Sequence, residues 1–411
     1  MATISPLRGL RPRPELAKEV ASVPYDVVDR DEARALAGTN RRSFLRVTRP
    51  EIDLAASVDP YADAVYAQGK AALDRLVADR VLVRDRAPAF YAYALTMNGH
   101  TQTGLVLGAS VADYEQNIVR KHEHTRPDKE HDRVRHIEAT RAQTGKVLLV
   151  HPASEVVEAE LAHARAAAAD TSFTADDGIQ HALWVIDDPA RIARLQRAFA
   201  AMGSLYIADG HHRSAAASRV ARAQRQAGGP TADTEMFVAV SFPASEVRIL
   251  PYHRVVHDLN GRSPAAFVAE VRARFDVRAG KPETSRPGQL GMFVAGAWYT
   301  LQVRARDLAG VDRVARLDVS VLQDRLLSPV LGIADPRRDP RIQFVGGSRG
   351  DGELVRRVEA LTRGDQVAVA FSLHPTSIED LVAIADRAQV MPPKSTWFEP
   401  KLRDGLVTHR F

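Results

Sequence analysis

Two short segments of the chain contain the residues best suited to binding a ligand or taking part in a reaction. The first, Ala208–Arg213, reads ADGHHR: an apolar run ends in Asp209 and Gly210, and two histidines and Arg213 then open an alanine-rich helix. Backbone N–H groups are unpaired at a helix start and the helix dipole is positive there, which stabilises an anion such as phosphate. Glycine lets a ligand approach the backbone, and arginine binds phosphate with two hydrogen bonds. The segment predicts a phosphate-binding turn; the plain alternative is a helix capped by Asp209 with exposed histidines.

The second segment, residues 120–133, reads RKHEHTRPDKEHDR and is denser in charge than solubility requires. Its cations can neutralise phosphate oxygens and its carboxylates can accept a proton, which is the inventory that phosphoryl transfer uses. Taken alone, each of these charges is typical of a solvated surface. The candidate phosphate or nucleotide ligands from both segments are Gly210, His212, Arg213, Lys121, His122, Arg126, Lys129 and Arg133.

The candidate catalytic residues are Glu123, Asp209 and His211, with Glu123 as the general base. His136, Arg254 and Arg349 are possible additions to the site. Arg349 belongs to RIQFVGGSRG, a glycine loop that resembles a second anion-binding loop and is equally typical of a plain turn.

The sequence favours magnesium over a metal site built by the protein alone. There are no cysteines, and adjacent histidines point in different directions, so a zinc site would need several ligands from elsewhere. Mg²⁺ that arrives with ATP or ADP keeps its waters and needs one or two carboxylates, of which Asp209 can supply one.

Composition narrows the class of protein. Basic and acidic residues number 56 and 51, so the net charge of +5 is diffuse and argues against a nucleic-acid-binding role. The lack of cysteine, of a signal-like start and of an apolar run of about 20 residues predicts a soluble, cytoplasmic protein without a membrane span. The expected partners are a small-molecule substrate and a nucleotide, and the oligomeric state stays open.

The pattern of elements predicts an α/β fold with a mixed sheet and an additional, smaller α+β domain. We expect an α/β region over residues 1–260 that carries both motifs, and a smaller α+β region with an ordered tail over residues 261–411. Asn98-Gly99 between two alternating runs predicts a hairpin, residues 60–78 predict an amphipathic helix, and Ser43–Val47 alternates like a strand. Thr376 and Glu379 form a capping-box pattern.

These blocks, in this order, resemble a bacterial and archaeal family named only as domain of unknown function 1015. The blocks are VPYDVV, NRRSFLRVTRPEID, KHEHTRPDKEHDR, YIADGHHR, FVAVSFP with ILPYHRVV, RIQFVGGSRG and MPPKSTWFEPKL. His253 departs from the pattern, in which asparagine is expected more often. The DGHHR element is also similar to the phosphate-binding turn of the ParB and sulfiredoxin superfamily, which includes kinases of free serine.

The second resemblance implies a ParB/sulfiredoxin-like core in which residues 209–213 hold nucleotide phosphates and an upstream glutamate activates the hydroxyl that is phosphorylated. We therefore expect a nucleotide-dependent kinase of a small hydroxyl substrate such as free L-serine. A phosphoserine phosphatase, which would use water as the acceptor, is the alternative enzyme. A ParB-like nucleotide-binding regulator or DNA-binding protein is the non-enzyme alternative, and the missing basic helix–turn–helix pattern counts against it.

Overall fold

The computed structural model describes residues 1–282 and 286–411, which divide into two units. Unit 1 comprises residues 1–247 and 400–411, and unit 2 comprises residues 248–399. The division differs in two ways from the boundary at residue 260 that the sequence suggests. The strand Tyr252–Val256 pairs with strands of unit 2, and the end of the chain returns to unit 1, because His409–Arg410 pairs with Ala142–Gln143.

Unit 1 combines one large sheet with helices and two small strand pairs. Its helices are α1 (Ala17–Val20), α2 (Arg30–Ala37), α3 (Leu45–Thr48), α4 (Asp63–Ala78), α5 (Val111–Glu115), α6 (Pro127–Thr140), α7 (Glu155–Arg165), α8 (Pro189–Ala201) and α9 (His211–Gln226). Its strands are β1 (Ile4–Ser5), β2 (Leu10–Pro12), β3 (Leu82–Arg84), β4 (Phe90–Met97), β5 (His100–Ser110), β6 (Val119–Arg120), β7 (Ala142–Gln143), β8 (Val147–His151), β9 (Thr171–Thr174), β10 (Gln180–Ile186), β11 (Leu205–Asp209), β12 (Met236–Pro243) and β21 (His409–Arg410).

The large sheet is mixed, as the sequence predicts. Its strand order is β6-β11-β8-β12-β5-β4-β10-β9, with β1 beside β5. The pairs β6–β11 and β8–β12 are parallel, and the remaining pairs are antiparallel. Every residue of β8 and of β12 is buried, which is typical of strands covered on both faces of a sheet. The fold class is therefore mixed α/β.

Several local predictions for unit 1 are confirmed and one is wrong. Asn98 and Gly99 adopt positive φ angles of 51° and 75° and join β4 to β5 in a hairpin. Helix α4 lies where the apolar spacing predicts it. The segment Ser43–Val47, expected as a strand, instead leads into helix α3, because Phe44, Leu45 and Val47 are all buried and the assumed alternation of inward and outward residues does not occur.

Pro127 separates two parts of the charged segment. It is the first residue of α6, a position where proline's missing N–H is tolerated. The residues before it form the short strand β6 and then a loop over residues 121–126. Helix α6 packs on α9 through Val134, Ile137, Ala216 and Val220, so the two motif-bearing segments are drawn together by an apolar contact.

Unit 2 is an α+β unit built on an antiparallel sheet. Its helices are α10 (Pro264–Arg274), α11 (Asp318–Leu322), α12 (Gly350–Leu361) and α13 (Ile378–Asp386). Its strands are β13 (Arg248–Leu250), β14 (Tyr252–Val256), β15 (Asp276–Ala279), β16 (Gln289–Val294), β17 (Ala297–Gln302), β18 (Ile342–Gly346), β19 (Val369–Ser372) and β20 (Trp397–Glu399). The sheet order is β15-β17-β16-β19-β14-β18, and β13 pairs separately with β20.

Helix α13 begins one residue later than the capping-box pattern suggests. Ser377, and not Thr376, is its N-cap, since the Ser377 hydroxyl accepts a hydrogen bond from the amide of Asp380. Thr376 instead donates its hydroxyl to the carbonyl of Ser395. Within residues 1–282 and 286–411, none of the helices combines the length and apolar character that crossing a membrane requires.

Candidate phosphate site

The DGHHR segment forms the strand-to-helix turn that the sequence predicts. Strand β11 ends at Asp209, Gly210 takes a left-handed conformation with a φ of 99°, and α9 begins at His211. A Cβ at position 210 would lie 3.1 Å from the guanidinium carbon of Arg213 and 3.3 Å from the Cα of Val147. Both the backbone angle and the surrounding space therefore require glycine here.

The loop of residues 121–126 lies against the start of α9. The amide of Arg126 donates to Nε2 of His212 at 3.0 Å, and the amide of His122 donates to Nε2 of His211 at 3.5 Å. The rings of His122 and His211 meet edge to face, with centroids 4.5 Å apart. The two motifs, distant in sequence, thus form one constellation.

His122 and His211 are held as neutral rings. Burial lowers the pKa of His122 to about 4. Burial, reinforced by the neighbouring His122, lowers the pKa of His211 well below its usual value. Because Nε2 of His211 accepts a hydrogen bond, its ring proton resides on Nδ1. These two histidines therefore shape the turn without adding positive charge to it near neutral pH.

Asp209 carries a negative charge at the end of β11. Burial opposes its ionisation, but Lys401 and Arg213 outweigh that effect and hold the pKa of Asp209 well below its usual range. The ammonium of Lys401 lies 3.3 Å from Oδ2, and Nη2 of Arg213 lies 3.3 Å from Oδ1. Lys401 was not among the residues singled out from sequence, although it stands in the EPKL block near the chain's end.

Arg213 points into unit 1 and is almost fully buried. Its guanidinium donates to the carbonyl of Lys146 and to Asp26 at 3.4 Å, besides Asp209. Burial lowers the pKa of Arg213, but Asp26 and then Asp209 more than compensate, so the pKa lies above its usual value. The guanidinium is thus engaged by protein groups, and direct binding of phosphate by Arg213 stays a prediction.

The VPYDVV block near the chain start contributes Asp26 and Tyr25 to the same neighbourhood. The guanidinium of Arg133 stacks 4.0 Å from the centre of the Tyr25 ring and forms an ion pair with Asp132 at 2.6 Å. The side chain of Asp26 is 38% exposed, so one carboxylate beside Arg213 remains open to solvent. In the sequence this block contributes to the family resemblance, and neither Tyr25 nor Asp26 is a predicted ligand.

The remaining predicted cations of the charged segment are engaged by a tyrosine or by a neighbouring aspartate. Lys121 donates to the carbonyl of Tyr114 at 3.2 Å, and its ammonium lies 4.2 Å from the ring centre of the same residue. Lys129 donates to the hydroxyl of Tyr61 at 2.8 Å. Arg126 pairs with Asp128 at 2.8 Å and is half exposed.

Glu123 and His136 differ in their environment. Glu123 lies half-buried in the loop that contacts α9, between the two residues whose amides bind the histidines of the turn. His136 is buried on α6, where a ring nitrogen lies 2.8 Å from the carbonyl of Val47. Burial lowers the pKa of His136 to about 4. The contact with Val47 gives His136 a packing role.

A small interior space lies beside Arg213, and Asp404 and Lys146 are buried in the same unit. The space, about 20 Å³, is lined by Tyr25, Arg133, Gly145 and Arg213 among others and is large enough for about one water molecule. Asp404 is 1% exposed, and burial raises its pKa to about 6. Lys146 is equally buried; burial lowers its pKa to about 8, and its ammonium donates to the carbonyl of Arg403 at 2.7 Å.

Arg254 and Arg349 belong to unit 2. Arg254 is buried and donates to the carbonyls of Tyr252 and Lys394, with its guanidinium 4.6 Å from the Phe344 ring centre. Burial lowers its pKa to about 10. Arg349 is half exposed and lies 4.0 Å from Glu353. Both contacts are within unit 2, and the role of either residue at a phosphate site stays a prediction.

Within residues 1–282 and 286–411, no three or more histidine, aspartate and glutamate side chains are grouped as they would be to hold a metal ion. Two carboxylates, those of Asp209 and Asp26, lie within 3.4 Å of the Arg213 guanidinium. One or two carboxylates are what a nucleotide-borne Mg²⁺ takes from a protein, so this pair fits that ion better than it fits zinc.

A family model described as "Protein of unknown function (DUF1015)" matches residues 4–320. The match spans more than half of the chain, and the chain belongs to this family. No curated protein matches the chain in sequence.

Several solved structures are similar in part. One is SbnI with a C-terminal truncation from Staphylococcus aureus, at 11% identity and a TM-score of 0.39, covering 74% of this chain and 86% of that one. Another is a conserved hypothetical protein from Pyrococcus furiosus, at 11% identity and a TM-score of 0.34, covering 73% and 93%. A free serine kinase in complex with AMP has 12% identity and a TM-score of 0.32, covering 72% and 86%.

Proposed function

We propose that unit 1 is a phosphate-handling enzyme, a kinase that transfers phosphate from ATP or ADP to the hydroxyl of a small substrate such as free L-serine. The observation that carries the proposal is the meeting of the two motifs: the loop of residues 121–126 is hydrogen-bonded to His211 and His212 at the first turn of α9. The similarity of the DGHHR turn to the phosphate-binding turn of the ParB and sulfiredoxin superfamily suggests the same function.

Phosphate recognition follows from the start of α9. Amides at the first turn of a helix have no partner within the helix, and the helix dipole makes that end positive. Gly210 adds no side chain where the chain enters α9, while Arg126 and Lys401 add positive charge nearby. A nucleotide phosphate is the anion that suits such a turn.

Asp209 and Asp26 are the residues that would hold Mg²⁺. The ion, when bound with the nucleotide, would neutralise the charge that develops on the transferred phosphate. Lys401 and Arg213 hold the pKa of Asp209 well below its usual range, because both cations lie 3.3 Å from its oxygens, so the carboxylate is ionised near neutral pH. Asp26, with its side chain exposed, remains accessible from solvent.

Glu123 is the proposed general base. In the reaction, the substrate hydroxyl oxygen forms a bond to the terminal phosphorus, the bond from that phosphorus to the nucleotide oxygen breaks, and the hydroxyl proton passes to Glu123. Its position in the loop that contacts α9 supports this role. If Glu123 does not take the role, Asp209 is the next candidate for the base.

The test is a product assay by phosphorus NMR with L-serine plus ATP, L-serine plus ADP, and phosphoserine alone, each with Mg²⁺. We expect phosphoserine to form from one of the two nucleotides. Glu123→Gln should lower turnover by about 10²–10⁴-fold while leaving nucleotide affinity unchanged, since it removes the base and preserves its size.

Asp209→Asn and Asp26→Asn are the matched controls, because a carboxylate that holds Mg²⁺ should show its loss as a higher Mg²⁺ requirement. Wild-type turnover in Glu123→Gln would contradict the assignment of the base. Release of inorganic phosphate from phosphoserine, without transfer from either nucleotide, would replace the kinase by a phosphatase.

A further inference from the structure

Unit 2 contains a cavity that the proposed function does not use. It has a volume of about 230 Å³ and lies between the sheet and the start of α12. Its polar lining comes from His253 of β14, Lys281, Gln289, Asp351 of α12 and Ser372 of β19. Drug-sized ligands occupy pockets of roughly 300–1,000 Å³, so this cavity fits a molecule smaller than a nucleotide.

His253 lines the cavity with a buried, neutral ring. The residue is 3% exposed, and its Nδ1 accepts a hydrogen bond from the amide of Leu373 at 3.1 Å. The proton of the neutral ring therefore resides on Nε2. Burial lowers the pKa of His253 to about 4, so the neutral form prevails near pH 7. In the part of the chain that the structure describes, no residue accepts a hydrogen bond from Nε2, while the ring lines the cavity.

A cation and an anion of the lining stand side by side. The ammonium of Lys281 forms an ion pair with Asp351, and the hydroxyl of Ser372 donates to the other oxygen of Asp351 at 3.3 Å. Both members of the pair remain partly exposed, with 43% and 31% of their side chains accessible. Each charge can therefore turn from its partner toward a ligand without being buried alone.

We propose that this cavity binds a small zwitterion of the α-amino-acid class. The ligand carboxylate would accept hydrogen bonds from Lys281 and from Nε2 of His253, and the ligand ammonium would donate to Asp351. Asp351 would repel a ligand that carries only a negative charge, and Lys281 would repel one that carries only a positive charge. A zwitterion gives Lys281 a carboxylate and Asp351 an ammonium in place of the ion pair between them. The proposal is independent of the chemistry at Asp209.

The test is isothermal titration calorimetry of the full chain with each of the protein amino acids other than L-serine, which is the proposed substrate of unit 1. We expect saturable binding of at least one of them. Its amide, which lacks the carboxylate, and its N-acetyl derivative, which lacks the ammonium, should each bind at least tenfold more weakly, as should inorganic phosphate. This comparison needs no variant and so does not depend on how a substitution affects folding.

Variants then locate the binding. Lys281→Gln and Asp351→Asn should each lower affinity by about 10- to 100-fold, the scale of one charge-assisted hydrogen bond. Arg278→Gln, which removes an exposed cation of β15, is the matched control and should leave affinity unchanged. Asp209→Asn should also leave it unchanged, which separates this site from unit 1.

Three results would overturn the proposal: no amino acid binds the wild-type chain, the amide and N-acetyl forms bind as well as the amino acid itself, or binding survives both Lys281→Gln and Asp351→Asn. Loss of amino-acid binding in Asp209→Asn alone would assign the ligand to unit 1 and would also overturn it.

Discussion

At the level of single residues, the two arginines near the turn, Arg213 and Arg126, differ in how far they are buried. Arg213 is 9% exposed and is bonded to Asp26, Asp209 and the carbonyl of Lys146, so it stabilises the carboxylates around it. Arg126 is half exposed, and only its amide is committed to the turn, by donating to His212. The buried arginine therefore holds the turn in shape, and the exposed one is free to approach a ligand by rotating away from Asp128.

This division predicts different consequences for two arginine substitutions. Arg213→Ala should lower the free energy of unfolding by about 3 kcal/mol, since it leaves Asp209 and Asp26 with less compensation for their charge. Arg126→Ala should change stability by less than about 0.5 kcal/mol but weaken ATP binding by about 1.5–3 kcal/mol. Urea denaturation and calorimetry separate the two effects. An Arg213→Ala protein of wild-type stability would contradict the structural role of this residue.

At the level of secondary-structure elements, the site depends on the residue that precedes α9. This residue, Gly210, has a backbone conformation that only glycine adopts easily. Gly210 has a φ of 99° with Arg213 and Val147 close by, whereas Gly99 in the hairpin has a φ of 75° with open space around it. A side chain at either position is strained by the backbone angle. At position 210 it also displaces the arginine that bridges the two carboxylates.

The two glycines therefore form a matched pair for substitution. Gly99→Ala should lower the free energy of unfolding by about 1–2 kcal/mol through backbone strain alone. Gly210→Ala should lower it further, and should also weaken nucleotide binding because the amides at the start of α9 shift. Thermal unfolding and calorimetry of both variants measure this. Equal losses of stability, with nucleotide affinity retained in Gly210→Ala, would show that the turn tolerates a Cβ and does not bind phosphate.

Elements with strong local signals could be predicted from sequence, and the assembled site could not. The Asn98–Gly99 hairpin and the DGHHR turn follow from residues whose backbone preferences are local. Helix α3 was missed because its apolar residues face the core on more than one side, so that its short sequence resembles a strand. Lys401 contacts Asp209 only because residues 400–411 return to unit 1. No local sequence pattern predicts that long-range contact.

At the scale of the whole molecule, buried titratable groups make stability depend on pH. Burial lowers the pKa of His122, His136 and His151 to about 4, and that of His181, also affected by Arg403, to about 3. A histidine whose folded pKa is depressed contributes stability that is present above its unfolded pKa, near 6.5, and is lost as the pH falls. Burial raises the pKa of Asp404 to about 6, so its contribution to stability has the opposite pH dependence. That contribution is lost as the pH rises from about 4 to 6.

We therefore expect the free energy of unfolding of unit 1 to fall between pH 7 and pH 4.5. The contribution of one such histidine over this interval is about 2–3 kcal/mol. His151→Gln should remove that share of the decrease, because glutamine fills similar space and does not titrate. Urea denaturation at pH 7, 5.5 and 4.5 measures the slope. A variant that loses as much stability as the wild type on acidification would show that His151 is not held neutral.

The start of α9, against which the loop of residues 121–126 lies, is the proposed binding site for nucleotide phosphate. The most direct measurement is a crystal structure of the full chain with ADP and Mg²⁺. We predict a phosphate oxygen at a hydrogen-bond distance of about 3 Å from the amide nitrogen of His211 or His212, with Asp209 or Asp26 on the metal side. A nucleotide bound elsewhere, with no phosphate at this turn, would contradict the account.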